Sequence, residues 1–395
     1  MRDPIVIVSA VRTPLGAFQG ALSTLPVATL GSIAVKNAVE RAKVSPDDVD
    51  EVILGCVLPA GAGQAPARQA VLGAGLPQHV GAVTLNKVCG SGLKTIAYAH
   101  DTILAGTNKI MVAGGMESMS NAPYLLSKAR DGYRLGHGEL KDHMFLDGLE
   151  DAYEGKLMGC YAEDTAGRYT FTREAQDEFT LRSLDRAKKA MDENKFRDEI
   201  AVISIQKKKE MIDIVDDEIP GTARPEKIPT LRPAFAKDGT VTAANSSSIS
   251  DGAAAVLVMR ESEAKERGLD ILAVIKGHTT HAQQPSHFTT APVGAMQKLS
   301  AKTGWDLNKD VDLFEINEAF AVVTMAAMKE LNLDPEKVNV HGGACALGHP
   351  IGASGARVLV TLIHALRQHK KTRGMASLCI GGGEAVAMAV EIPSA

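Results

Sequence analysis

The sequence predicts an α/β protein built from two copies of one β-α-β-α-β-α-β unit. Short apolar, β-branched runs alternate with longer segments whose apolar residues recur at helical spacing. The same succession of runs occurs twice along the chain. A third observation is a break in that rhythm between Ser120 and Ser248, where the chain becomes polar, Gly-rich and mixed in charge.

The elements follow in order. "PIVIVSAVRT" (4–13) is answered by "ILAVIKGHTT" (271–280), and "VDEVILG" (49–55) by "VDLFEIN" (311–317). A third strand, "AVTLNKV" before Cys89, has "KVNV" (337–340) as its counterpart. The helix after Cys89 matches "GASGARVLVTLIHALRQH" (352–369), and "KIMVAGGMES" (109–118) matches "MASLCIGGGEA" (375–385). "DGAAAVLVMRESEAKERG" (251–268) closes the first copy and "EAVAMAVEI" (384–392) the second. Strands alternating with helices of this length imply a mainly parallel sheet with right-handed crossovers. The expected division is residues 1–119 with 249–269 as the first half, 120–248 as an insertion draped over it, and 270–395 as the second half. Within the insertion, Thr172 caps a helix through "REAQDEFTLRSLDRAKKAMDENK". Long loops of this kind usually carry function.

Composition narrows the class. Hydrophobic residues at 45% and charged residues at 23% suit a globular protein, and 37 glycines with few aromatics suggest close-packed helices and tight turns. A net charge of −4 argues against nucleic-acid binding, and "KKK" at 207–209 reads as a solvated face. The N-terminal run has neither the h-region of a signal peptide nor a transit segment, and no apolar run reaches membrane-spanning length. The five cysteines, Cys56, Cys89, Cys160, Cys345 and Cys379, are spread out with no C-x-x-C pair. That disfavours a disulfide framework and a zinc site, and the cytoplasm is the expected location.

The chemistry gathers around "LNKVCGSGLKT" (85–95), where a strand turns into a helix at Cys89. Gly90 and Gly92 free the turn to bend tightly or approach a ligand. A helix N-terminus offers unpaired N–H groups and lowers a thiol's pKa, although a free cysteine is also often an inert core residue. In the second copy, His349 occupies the position equivalent to Cys89, in "HGGACALGHPIGASGAR" (341–357). Cys379 ends a strand before three glycines, so its thiol is expected to emerge at the sheet's end beside backbone N–H groups. Functional groups collect at the carboxyl ends of parallel strands, so packing about a pseudo-twofold axis brings Cys89, His349 and Cys379 together. A thiol beside an imidazole is an activated nucleophile suited to a thioester, and a second thiol suits proton transfer at carbon. The N–H groups of Cys89 and Gly381 and the Asn317 amide are candidate oxyanion donors, each worth ~3–4 kcal/mol. The plainer readings are a structural histidine, tight packing at "CIGGG" and a helix cap at Asn317. P-loop, G-x-G-x-x-G, G-x-S-x-G and H-E-x-x-H signatures are absent.

"NKVCGSGLK", "GGMESMS", "NEAFA", "GGACALGHPIGASGAR" and "CIGGG" together resemble the motif set of the thiolase family, in that family's order and over essentially the whole chain. The resemblance implies the five-layered α-β-α-β-α thiolase fold with an inserted loop domain that binds coenzyme A and makes oligomer contacts. It implies that Cys89 is acylated, that His349 activates it, and that Cys379 exchanges the α-proton of the second acetyl group. Asn317 positions a water that forms one oxyanion hole with His349, and the amides of Cys89 and Gly381 form the other. Within the family, "GGMESMSNAPYLL" and "LRPAFAKDGTVTAANSSSISDGAAA" look most like short-chain, biosynthetic acetyl-CoA acetyltransferases. These condense two acetyl-CoA to acetoacetyl-CoA plus CoA, use no metal or resident cofactor, and imply a homotetramer. Ser247 falls at a pantetheine contact, while Met158 and Phe288 fall at the acyl pocket.

Some residues depart from the family pattern. Leu157 stands where the short-chain enzymes carry His, which leaves chain-length preference open. Glu384 and Ala385 replace an uncharged residue and a Gly, and the added Cβ of Ala385 is expected to shift that turn. The basic residue that meets the adenosine end is missing at Pro220, so Arg224, Lys227 or Arg232 takes its part. The alternatives are a 3-ketoacyl-CoA thiolase of β-oxidation acting on longer chains and a non-catalytic acyl-CoA binding protein of the same fold. The intact Cys-His-Cys set argues against the second. A carrier-protein condensing synthase is disfavoured by Cys379, since it would want two histidines and one cysteine.

Overall fold

The two copies meet edge to edge at one short seam. In the computed structural model, which describes residues 3–207 and 209–393, the first copy supplies strands β1 (Ile5–Arg12), β2 (Glu51–Gly55), β3 (Gly81–Leu85), β4 (Ile110–Ser118) and β5 (Ser250–Arg260). The second supplies β6 (Ala273–Ala282), β7 (Leu313–Ile316), β8 (Arg373–Ile380) and β9 (Glu384–Glu391). They run in the order β7-β8-β9-β6-β1-β5-β4-β2-β3, with a two-residue strand, Gly16–Ala17, beside β5. Among the described residues the seam is antiparallel and pairs only Val6 with Val274 and Ile7 with Ala273.

Apart from the edge strand β3 and the open end of β6, the strands are largely buried on both faces, and their alternation sorts side chains into layers. Along β1, Ile5 and Ile7 face one core while Val6 and Val8 face another. A register shift between Ile7 and Ser9 moves the phase by one residue, so Ala10 rejoins the first core and Val11 the second. The shared central core holds helices Ser91–Leu104 and Ile351–Gln368 between the two halves of the sheet. Helices Val27–Ala42 and Pro66–Gly73 cover the outside of the first half. Helices Ala291–Thr303 and Ala321–Leu331 cover the outside of the second. Five α-β-α-β-α layers result.

Two expectations are corrected. The sheet is mixed rather than mainly parallel: β2 pairs in parallel with β3 and β4, and β7 with β8. The closing strands β5 and β9 insert antiparallel, β5 between β1 and β4 and β9 between β6 and β8. A closing strand that follows its neighbour by a tight hairpin, as β9 follows β8, must run antiparallel to it. The second copy also lacks a full third strand, because "KVNV" contributes only the single bridge Phe314–Val338.

The central helices nearly touch backbone to backbone, which is what the glycines permit. A Cβ on Gly92 would come 2.6 Å from the Ala356 nitrogen, and one on Gly355 would come 2.3 Å from the Leu93 nitrogen. Gly92 thus serves helix packing rather than approach to a ligand.

Between β4 and β5 the chain forms two small hairpins, Tyr124–Leu126 with Leu140–Asp142 and Ile203–Lys207 with Glu210–Ile214. It also forms helices Met158–Tyr169 and Arg173–Asp192. The Thr172 hydroxyl caps the second by accepting from the Ala175 N–H at 3.2 Å. Lys207 and Lys209 are exposed at the second hairpin, and Lys208 lies outside the described residues. A buried Arg12 ties this segment to β1 through Glu199 at 2.5 Å and Asp217 at 2.7 Å. Among the described residues no helix is long and apolar enough to cross a membrane.

Candidate active site

Strand β3 ends at Leu85, and the next residues are held in one conformation by their own polar groups. The Val88 N–H donates to Asn86 Oδ1 at 2.8 Å. The Ser91 hydroxyl donates to the Val88 carbonyl at 2.6 Å and accepts from the Lys87 N–H at 2.8 Å. Val88 is thereby fixed at φ +45°, an unfavourable conformation for a β-branched residue, while Gly90 keeps an ordinary φ of −82°. The strain sits on the residue before Cys89, and the helix starts just after it at Ser91.

Cys89 keeps part of its surface open to a cavity of about 620 Å³ that His349 and Gly381 also line. Burial pushes its thiol up to about 11, opposed by the N–H groups of Gly381 and Cys89 itself, with the Glu117 carboxylate adding to the rise. The expectation of a lowered thiol pKa is therefore corrected. Backbone dipoles alone do not offset desolvation here.

His349 stands two residues before the Ile351–Gln368 helix, as Cys89 stands two before the Ser91–Leu104 helix. Burial, with Arg357 adding to it, pushes its imidazole down to about 3, so the ring is neutral. Its Nδ1 lies 2.5 Å from the Ser354 hydroxyl, which donates to the Pro350 carbonyl at 2.9 Å. With that proton committed, the hydroxyl accepts from Nδ1–H, and Nε2 is left unprotonated, as the ring's acceptor. Asn317 Nδ2 reaches Nε2 at 3.5 Å. The Asn317 oxygen is held in turn by Arg357 at 3.3 Å, and Arg357 pairs with Glu315 at 3.4 Å. Asn317 is no helix cap: the next helix starts at Ala321 without a side-chain cap.

Cys379 is the penultimate residue of β8 and is fully buried, in one cluster with Tyr161, Phe288 and Met158. Its thiol does not emerge, contrary to expectation, because this apolar cluster closes around it. Burial drives its pKa far up, and charge on Cys89 would drive it further. Gly381 follows in the β8–β9 turn, where Gly382 and Gly383 take φ of 90° and 87°. Ala385 pairs with Cys379 inside the strands, outside that turn, so the expected shift is also corrected.

The remaining candidates divide by place. Leu157, Met158, Phe288 and Ser247 line the same cavity as Cys89. Phe288 is 3% exposed and packs edge-on against Tyr161. Arg224 and Lys227 line a neighbouring cavity of about 310 Å³, and Ile219, Ala243 and Ser248 border both. Arg232 borders neither.

Sequence reasoning missed three buried residues that shape the site. Glu117 accepts N–H groups of Val57, Leu58 and Gly352 at 3.0, 3.1 and 2.8 Å, clamping the start of the His349-side helix. Burial still raises its carboxyl to about 7. Ser354 and Arg357 orient His349 and Asn317. Each of the three lies inside a quoted motif, and a polar residue on an otherwise apolar helix face or strand was the available signal.

Family models for the N-terminal and C-terminal thiolase domains match residues 5–262 and 269–392. The chain belongs to the thiolase family. An acetyl-CoA acetyltransferase of Chromobacterium violaceum is 49% identical over 98% of this chain and 100% of the relative. One of Cupriavidus necator is 49% identical over 98% and 99%. A probable acetyl-CoA acyltransferase of Staphylococcus aureus is 48% identical over 98% of each. The crystal structure of the Bacillus anthracis acetyl-CoA acetyltransferase superposes with a TM-score of 0.96 at 43% identity, covering 99% of both chains. Thiolase membership and the layered fold thus agree.

Proposed function

We propose that this thiolase is an acetyl-CoA C-acetyltransferase, condensing two acetyl-CoA reversibly into acetoacetyl-CoA and CoA through an acetyl-Cys89 intermediate. The observation that carries the reading is His349. It is a neutral imidazole that borders the same cavity as Cys89, with Nδ1 engaged by Ser354 and an unprotonated Nε2 that, among the described residues, only the Asn317 amide reaches, at 3.5 Å. Nε2 takes the Cys89 proton as sulfur attacks the acetyl carbonyl; the C–S bond to CoA breaks, and CoA leaves with the proton. Cys379 then passes its thiol proton to the neutral His349 ring and, as the thiolate this leaves, removes an α-proton from a second acetyl-CoA; the imidazolium returns a proton to Cys89 when that sulfur departs. The resulting carbanion attacks acetyl-Cys89, and the Cys89 thiolate leaves. Oxyanions are met by the N–H groups of Cys89 and Gly381, and by His349 with a water placed by Asn317. Ser247 contacts the pantetheine arm, while Arg224 and Lys227 meet the phosphate end.

Residues 120–248 act in this reading as the domain that binds CoA and joins subunits into a homotetramer, a dimer of dimers. Exposed Tyr124, Leu126 and Leu140 on its first hairpin support that. The outermost strand, β3, carries exposed Val83 and offers an unpaired edge for a second subunit. The cytoplasm and lipid metabolism are the proposed setting. A second reading, cleavage of longer 3-ketoacyl-CoAs, is favoured by Leu157, which makes the acyl wall apolar where short-chain enzymes carry His.

The test is incubation with acetyl-CoA alone. Acetoacetyl-CoA and free CoA should form, and peptide mass spectrometry should place an acetyl group on Cys89. Product without any Cys89 adduct, or an adduct on Cys379 instead, rejects the mechanism.

A further inference from the structure

Far along the helix that begins after Cys89, His100 and Asp101 face His278 on β6 of the other half. Among the described residues, these three form a cluster whose ligand atoms, one per residue, all lie within 4.8 Å of one another. His100 Nδ1 and His278 Nε2 each lie 2.9 Å from the same Asp101 oxygen, Oδ1. The two rings stand edge to face, 5.2 Å apart. Both imidazoles are largely covered, 13% and 14% exposed, while Asp101 at 50% opens the group to solvent.

We propose that His100, Asp101 and His278 form a site for a divalent first-row transition-metal cation. Two imidazole nitrogens and one carboxylate oxygen suit Zn²⁺ and its neighbours, leaving a fourth position for water. Without metal, Asp101 accepts hydrogen bonds from both rings. On binding, each ring's proton moves to its other nitrogen, and the freed lone pair turns to the cation. The nearby Lys302, whose ammonium donates to the His278 carbonyl at 3.0 Å, limits affinity without occupying a ligand atom. The site joins a helix of one half to a strand of the other, on the same strand β6 that forms the short seam at Ala273 and Val274. Binding therefore staples the two halves and is independent of acetyl transfer.

The experiment titrates Zn²⁺ by calorimetry into EDTA-treated full-length protein whose Cys89 has first been carboxamidomethylated, so that the active-site thiol does not compete. One equivalent should bind with a dissociation constant of about micromolar or below. Saturation should raise Tm by roughly 3 °C. His278→Ala and His100→Ala should each weaken binding ~100-fold, whereas His281→Ala on the same strand should not. Crystals soaked in Zn²⁺ provide a readout that does not depend on variant folding: an anomalous peak should appear between the three side chains. Absence of saturable binding, affinity unchanged in both His variants, or a peak elsewhere overturns the proposal and leaves a hydrogen-bonded triad.

Discussion

His349 Nδ1 lies 2.5 Å from the hydroxyl of Ser354, five residues on along the same helix start. This contact selects the tautomer that leaves Nε2 unprotonated, so Ser354 is a positioning residue for the proposed base. Ser354→Ala should keep the fold and KM but lower kcat by roughly 10–100-fold, the usual range for a partner that orients another side chain. Ser354→Thr should restore part of the loss. Unchanged kcat in the alanine variant would show that packing alone orients the ring.

The raised Cys89 pKa sets a pH dependence. Only the thiolate is alkylated, and with a pKa of about 11 its fraction grows about tenfold per pH unit up to that value. Inactivation by iodoacetamide should therefore accelerate steadily between roughly pH 7 and 10. A plateau near neutrality would mean that the thiol ionises early, as its helix-terminal position alone suggests.

The two active-site thiols should separate by variant. Cys379→Ser should still form acetyl-Cys89, but deuterium exchange into acetyl-CoA should fall ~10²-fold or more, because a hydroxyl is a much poorer proton shuttle. Near-normal exchange would assign the α-proton to another base.

Chain length turns on Phe288 and Leu157. One methylene in an apolar pocket changes discrimination by only ~1–3 kcal/mol, so acetoacetyl-CoA should be preferred while slightly longer or 2-methyl analogues still react. Phe288→Ala should relax the limit. Equal rates on four- and eight-carbon substrates in the parent protein would favour the degradative reading.

Lys87, just before the strained Val88, pairs with Glu384, just after the Gly381–Gly383 turn. The pair fastens the Cys89 loop to the loop that carries the Gly381 N–H, and it gives the acid at 384 a partner. Both side chains are partly exposed, so Glu384→Gln should cost stability only ~0.5–1 kcal/mol. The kcat of this variant should fall and should lose its sensitivity to salt. A salt response equal to the parent's would count against this role.

The duplication and the places of Cys89, His349 and Cys379 at element ends were legible because they rest on local pattern, namely strand runs, helical spacing and glycines at fixed offsets, whereas the five layers were implied only by the likeness to the thiolase motif set. The direction of β5 and β9 was not legible, since periodicity records which face a residue takes and not which way its strand runs. The loss of the third strand in the second copy escaped for a similar reason, four residues being too few to separate a strand from a single bridge. The thiol's pKa was misjudged because a helix terminus is visible in sequence while desolvation by distant residues is not. Glu117 and Arg357 act only through partners that the fold brings to them, such as Gly352 and Glu315.

Cys89 and His349 stand at matching points of two structurally equivalent halves. Had those halves been separate, identical chains associating about a twofold axis, the same point would have carried the same residue on both sides, giving two thiols or two imidazoles face to face. Neither arrangement contains both a nucleophile and a base for it. Joining the copies in one polypeptide removes that constraint, because each position can then change alone. The near-symmetry of the scaffold thus coexists with the unsymmetrical division of labour proposed for Cys89 and His349, and covalent continuity between the halves is what makes the two compatible.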